Sequence, residues 1–231
     1  MEAWIAEADG KPVEVWDWPV RIVHWLLVVL VATSWITSEI GGNAMTYHMW
    51  SGYAILTLVA FRIVWGFVGS RHARFASFVK GPAEVIAYVR GLSSQRFYLG
   101  HNPLGGWSVL AMLASLLVQA STGLFANDEI FTEGPLASRV SAETSIFLTT
   151  VHRYNFYVLL GLIALHLAAI AYYLLVRRQN LVGSMITGRK RVHSQLHAAE
   201  PHAHEPHPSA LRAALVLLVV ASAVAVVVNS G

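Results

Sequence analysis

Four histidines lie within apolar stretches that are long enough to cross a membrane: His24, His48, His152 and His166. An ionisable side chain is costly inside a bilayer, so such residues tend to mark functional sites. Imidazole is a usual axial ligand of haem iron, and an electron-transfer haem can take one imidazole from each of two facing helices. One such histidine would be explained equally well as a hydrogen-bonded packing residue. Four of them favour two haems with two histidine ligands each.

Two of these histidines belong to the same apolar run. His152 and His166 are 14 residues apart, which is close to four helical turns and about 21 Å along a helix. They therefore share one helix face and lie at opposite depths of the bilayer.

Five apolar runs supply the helices that must position these side chains, since a transmembrane helix needs about 20 mostly apolar residues. The runs are 20–40, 47–68, 107–125, 146–176 and 211–228. They predict an all-α membrane protein with a four-helix haem-binding bundle over 20–180 and a fifth, C-terminal transmembrane helix within 209–231. Of the 231 residues, 55% are hydrophobic and only 13% are charged, which is typical of membrane proteins and not of soluble domains.

The chain contains no cysteine. This excludes disulfides, cysteine-ligated iron–sulfur clusters, thiolate-ligated haem and the C-x-x-C-H attachment of c-type haem. Any haem must therefore be bound non-covalently, as haem b is. The net charge of +3 does not indicate nucleic-acid binding, because the basic residues are spread between the apolar runs.

Basic residues predict the orientation, because they are enriched in cytoplasmic loops. The segments after the second and fourth runs contain Arg71, Arg74, Lys80, Arg90, Arg96, Arg177, Arg178, Arg189, Lys190 and Arg191. The other two connections carry Arg139 against Glu39, Asp128, Glu129, Glu133 and Glu143. We therefore expect a multi-pass protein of the bacterial inner membrane with a cytoplasmic N-terminal segment over 1–19. This segment is acidic and lacks a basic start, so no cleaved signal peptide is expected.

With this topology, matching depths pair the four histidines. His24 and His166 lie on the cytoplasmic side, and His48 and His152 lie on the periplasmic side. The third helix contributes no ligand.

Four further residues are predicted to contact the cofactors. Gly52 and Gly161 would let a porphyrin approach the backbone, although either could serve helix packing instead. Arg62 lies 14 residues after His48 and could pair with a propionate of the cytoplasmic haem, and Arg153 could do so for the periplasmic haem. Snorkelling to the membrane interface is the alternative for both arginines.

The remaining segments are expected to be connectors. Residues 81–92 have the spacing of a short helix at the cytoplasmic interface. Residues 181–208 are interpreted as a His-rich cytoplasmic linker. Five histidines in it could bind a metal, but their spacing does not resemble a closed tetrahedral site; they are His193, His197, His202, His204 and His207.

Three segments resemble bacterial di-haem cytochrome b proteins, a group that includes cytochrome b-561 and the b-type subunit of nickel–iron hydrogenases. They are residues 16–25, residues 47–53 and the stretch from Val151-His152 through Leu165-His166. Residues 98–107 resemble the hydrogenase-type branch. The resemblance covers about residues 14–180. It implies two bis-histidine b haems that exchange electrons between a periplasmic redox partner and the quinone pool of a respiratory chain.

Several functions remain open at this stage. The leading hypothesis is transmembrane electron transfer. Its periplasmic partner would be a cytochrome c, which could dock on the acidic connection, or a hydrogenase subunit. A superoxide:quinone oxidoreductase is an alternative, and a histidine-based metal or proton transporter is an alternative of another class. Whether the chain is itself an enzyme stays open, no catalytic residue is assigned, and an oligomer is compatible with the sequence. Candidate quinone contacts on the cytoplasmic side are Arg74, Tyr98, His101 and Asn102.

Overall fold

The computed structural model describes residues 11–92, 100–128, 132–192 and 209–231. In these ranges, five helices are long and apolar enough to cross a membrane. They are α1 (Trp18–Ile40), α2 (Met45–Val68), α5 (Pro103–Gly123), α6 (Ala142–Leu175) and α8 (Ala210–Val228). The shorter elements are β1 (Lys11–Glu14), α3 (Phe75–Phe78), α4 (Pro82–Val89), α7 (Leu181–Thr187) and β2 (Arg189–Val192). The predicted all-α membrane bundle with a fifth helix is confirmed.

Three of the transmembrane helices, α1, α5 and α6, begin earlier than their apolar runs, and a polar cap precedes each. Asp17, Asn102 and Ser141 cap α1, α5 and α6 by accepting the backbone N–H three residues on. Such caps satisfy amide groups that have no partner within the helix. The predicted interfacial helix over 81–92 corresponds to α4.

We call the end of the bundle at which α1 begins the near end, and the opposite end the far end. α2 and α6 finish at the near end, and α5 and α8 begin there. Along the bundle, α1 packs on α2, α2 on α5, and α5 on α6, while α8 packs on α2. Among the described residues, α6 makes no comparable backbone contact with α1 or α2. Side chains bridge α6 and these two helices, as where Leu159 of α6 joins a buried cluster with Ile55 and Val59 of α2.

Asp17 joins two helices at the near end. Its Oδ1 accepts the N–H of Val20 at 3.0 Å, which caps α1. Its Oδ2 accepts the indole N–H of Trp65 at 2.9 Å and the hydroxyl of Ser70 at 2.7 Å. Trp65 is fully buried, so this carboxylate ties the start of α1 to the end of α2.

The short helix α3 forms a wedge between α2 and α5. Gly66 of α2 gives it room, because a Cβ there would collide with the ring of Phe75. On the other side, a Cβ on Gly106 of α5 would lie 2.7 Å from the carbonyl oxygen of Phe78. The wedge buries Phe78 and partly buries Phe75 at the near end, with their ring centroids 5.8 Å apart.

The first part of the predicted linker is ordered. α7 lies within it, and β2 pairs antiparallel with β1, so that Glu14 is opposite Arg189. Between α7 and β2, Gly188 has φ +80°, a conformation that favours glycine. Its carbonyl accepts the N–H groups of Val15 and Trp16 at 2.8 and 3.2 Å. The linker histidines lie outside the described residues.

Candidate functional site

Two pairs of histidine rings face each other across the bundle. At the near end, the ring centroids of His24 on α1 and His166 on α6 are 6.4 Å apart. At the far end, those of His48 on α2 and His152 on α6 are 6.1 Å apart. α6 therefore contributes one histidine to each pair.

The spacing of each pair is suited to a metal ion between the rings. A bond between imidazole nitrogen and a first-row metal is about 2 Å long, which puts each ring centroid about 3 Å from the metal. Two rings on opposite sides of one ion would then have centroids about 6 Å apart. Both observed distances are close to that value.

The far-end histidines are oriented by backbone carbonyls. His48 Nδ1 lies 2.9 Å from the carbonyl oxygen of Ser34 on α1 and 3.1 Å from its hydroxyl. His152 Nδ1 lies 2.8 Å from the carbonyl oxygen of Gln119 on α5. Because a carbonyl can only accept, Nδ1 carries the proton in both rings and Nε2 keeps its lone pair. This is the arrangement that metal-bound histidines commonly show.

A polar ladder on α5 supports His152, and we define it as Ser115, Gln119 and Thr122. The Oε1 of Gln119 accepts an N–H of Asn155 at 2.7 Å, and Asn155 also donates to the carbonyl of Ser115 at 2.9 Å. The Nε2 of Gln119 lies 3.2 Å from His152 Nε2. An iron at His152 Nε2 would use the same lone pair, so this amide N–H would then need another acceptor.

Sequence reasoning missed this ladder, although the sequence contained a signal for it. Ser115, Gln119 and Thr122 are spaced four and three residues apart, so they lie on one helix face. Polar side chains inside a transmembrane helix commonly form hydrogen bonds between helices. The third transmembrane helix, α5, thus has no predicted ligand, yet it orients the ring of His152.

The near end differs, because buried nitrogens there lack protein partners. Four atoms have no hydrogen-bond partner within the described ranges: Arg21 Nε, His24 Nδ1, Arg62 Nη1 and His101 Nδ1. The guanidinium of Arg62 lies 5.2 Å from the centroid of the Phe75 ring, and the residue is only 5% exposed. Buried polar groups nearly always have a partner. The two arginine nitrogens are donors, and an imidazole nitrogen that carries the proton is one too, so the set fits a bound group with acceptor oxygens.

The other predicted contacts have different surroundings. A Cβ on Gly52, one turn after His48, would meet no atom within 4 Å, which leaves room beside that histidine. Gly161 is also open, but it is exposed and lies nine residues after His152, about half a turn away from the histidine face. Arg153 is exposed next to His152.

The candidate quinone contacts are largely engaged in the fold. Asn102 caps α5 and donates to the hydroxyl of Tyr173 at 2.6 Å. Arg74 is exposed, and its Nε donates to the carbonyl of Gly69 at 2.9 Å. His101 is partly buried beside the aromatic rings of Trp16 and Phe78, and Tyr98 lies outside the described residues.

A membrane bundle that places a histidine pair between facing helices at each end has the architecture of transmembrane b-type cytochromes. The chain belongs to the prokaryotic cytochrome b561 family, whose model matches residues 15–188. This family assignment makes it a multi-pass membrane protein of electron transfer that binds haem b.

Relatives of nearly the same length point to one branch of this class. The chain is 27% identical to the "Probable Ni/Fe-hydrogenase B-type cytochrome subunit" of Rhizobium leguminosarum bv. viciae, over 82% of this chain and 95% of the relative. It is 28% identical to the protein of the same name from Azotobacter chroococcum mcd 1, over 81% of this chain and 95% of the relative. No solved structure matches the chain.

Proposed function

We propose that this protein carries electrons across the membrane through two bis-histidine b haems, between a periplasmic partner and the quinone pool. The observation that supports this most directly is the pair of histidine rings at each end of the bundle, with one histidine of each pair on the same face of α6. The two α6 histidines are separated by about 21 Å along the helix. Such a spacing puts one redox centre near each membrane face.

The residues have separate roles in this proposal. His24 and His166 hold the near-end haem, and His48 and His152 hold the far-end haem. A bound haem supplies the reversible change of iron oxidation state. The carbonyls of Ser34 and Gln119 fix the far-end rings through Nδ1, which leaves Nε2 available for iron.

Three other predicted contacts have supporting roles. Arg62 stabilises a propionate at the near end, and Arg153 does so at the far end. Gly52 leaves room beside His48. We do not assign a cofactor role to Gly161, which faces away from the histidines.

The orientation and partners follow from charge and from the relatives. We propose that the near end is cytoplasmic in the inner membrane, because the basic connections lie there. The relatives are named as hydrogenase subunits, so we propose a nickel–iron hydrogenase as the periplasmic electron donor. Quinone is then the acceptor, and electrons pass from the far end to the near end.

A pyridine haemochrome spectrum of the purified protein tests the cofactor. We expect haem b at about two per chain, which corresponds to one for each histidine pair. His72→Ala is a matched control, since His72 lies outside the transmembrane helices and its replacement should leave the haem content unchanged. Absence of haem b from the wild-type protein would contradict the proposal.

Ligand variants test the pairing. His24→Ala and His166→Ala should remove the same spectral component, and His48→Ala and His152→Ala should remove the other. If His24→Ala and His48→Ala removed the same component, the pairing would be wrong.

A further inference from the structure

Arg62 and His101 are two of the three side chains outside the histidine pairs that keep a buried nitrogen without a protein partner in the part of the chain that the structure describes. The third, Arg21, donates through its Nη1 to the carbonyl of Ile186. Arg62 and His101 come from different elements, since Arg62 is on α2 and His101 precedes α5. Two such groups in one region are unexpected unless a ligand satisfies them.

Aromatic rings hold both groups in place. The ring of His101 lies between Trp16 and Phe78, with centroid distances of 4.4 and 4.6 Å. Arg62 lies over Phe75, and Phe75 is next to Phe78. The α3 wedge therefore connects the two positions, and neither side chain can turn easily toward solvent.

The charges at this site favour an anion. Burial, together with the charges of Arg62 and His166, lowers the pKa of His101 to about 3. His101 is therefore neutral at physiological pH and offers one N–H, while Arg62 remains positive. Asp17 also interacts with Arg62, but its oxygens already accept three hydrogen bonds.

We propose that Arg62 and His101 together bind one carboxylate group of the haem that His24 and His166 hold. This inference rests on the proposed function, because it requires a haem at the near end. A carboxylate has two acceptor oxygens and a negative charge, so it can accept from the imidazole and pair with the guanidinium. A neutral quinone would add no negative charge beside Arg62, so it would satisfy the guanidinium less well than a carboxylate. His101 is thus assigned to the cofactor and not to a quinone.

Equilibrium redox titration without added quinone tests the assignment. His101→Leu removes the N–H, so the carboxylate charge is less compensated, the ferric state is stabilised and the midpoint potential of one haem should fall. The haem whose midpoint potential shifts should be the one that His24→Ala removes. His101→Gln keeps an N–H and should restore part of the shift. The far-end component in the same sample reports that the bundle is folded.

The controls separate this role from packing and from quinone binding. Phe78→Leu loosens the ring contact but leaves the N–H in place, so it should shift the potential less than His101→Leu. Equal shifts in these two variants, or no shift in either, would overturn the assignment. A raised KM for quinone with both potentials unchanged would make His101 a quinone contact instead. Absence of haem from the wild-type protein would contradict the proposed function itself.

Discussion

Replacing Asp17 with alanine should destabilise the bundle through one buried group, the indole N–H of Trp65. Loss of the helix cap at Val20 costs about 1 kcal/mol. Trp65 is fully buried, and leaving its N–H without an acceptor costs about 1–3 kcal/mol. Ser70 can turn its hydroxyl to another acceptor, so its loss adds little. We expect a total of about 2–4 kcal/mol.

A double-mutant cycle with Trp65→Phe isolates the indole contribution. Phenylalanine keeps a ring at this position but has no N–H, so Asp17→Ala should cost about 1–3 kcal/mol less in this background. The free energy of unfolding is measured by titration of the protein from mild detergent into SDS, with circular dichroism as the signal. Equal costs of Asp17→Ala in both backgrounds would refute the reasoning.

Three further predictions concern the packing around the sites. Gly123→Ala would place a Cβ 3.0 Å from the His152 ring, so the ring must shift. The spectral component of the far-end haem should then weaken, while that of the near-end haem stays unchanged. Asn155→Leu removes the donor that holds Gln119, and it should change the midpoint potential or the electron paramagnetic resonance signal of the far-end haem only; no change would show that the polar ladder is not coupled to that haem. Gly66→Leu would collide with Phe75 and displace α3, so the near-end component should be lost first.

The transmembrane helices could be predicted because each corresponds to one continuous apolar run of the sequence. An apolar run of suitable length has few alternatives in a membrane. The errors were at the helix starts, where Asn102 and Ser141 begin α5 and α6 about four residues before the apolar runs. These residue types at a helix start are themselves a local signal, so this part of the fold was recoverable from sequence.

The β1–β2 pair could not be predicted in the same way. Each strand has only four residues, and neither shows a distinctive alternation. They pair because the bundle brings the start of α1 next to the end of α7, where Gly188 accepts two backbone N–H groups. Long-range contacts of this kind depend on the completed fold and not on local sequence.

The two ends of the bundle also differ in a way that no ligand motif indicates. At the far end, Ser34 and Gln119 satisfy the Nδ1 of both histidines. At the near end, His24, Arg62 and His101 keep unpaired buried nitrogens in the described residues. Each such group costs about 1–3 kcal/mol until an acceptor reaches it. Because haem binding would supply such acceptors, it should stabilise the near end more than the far end.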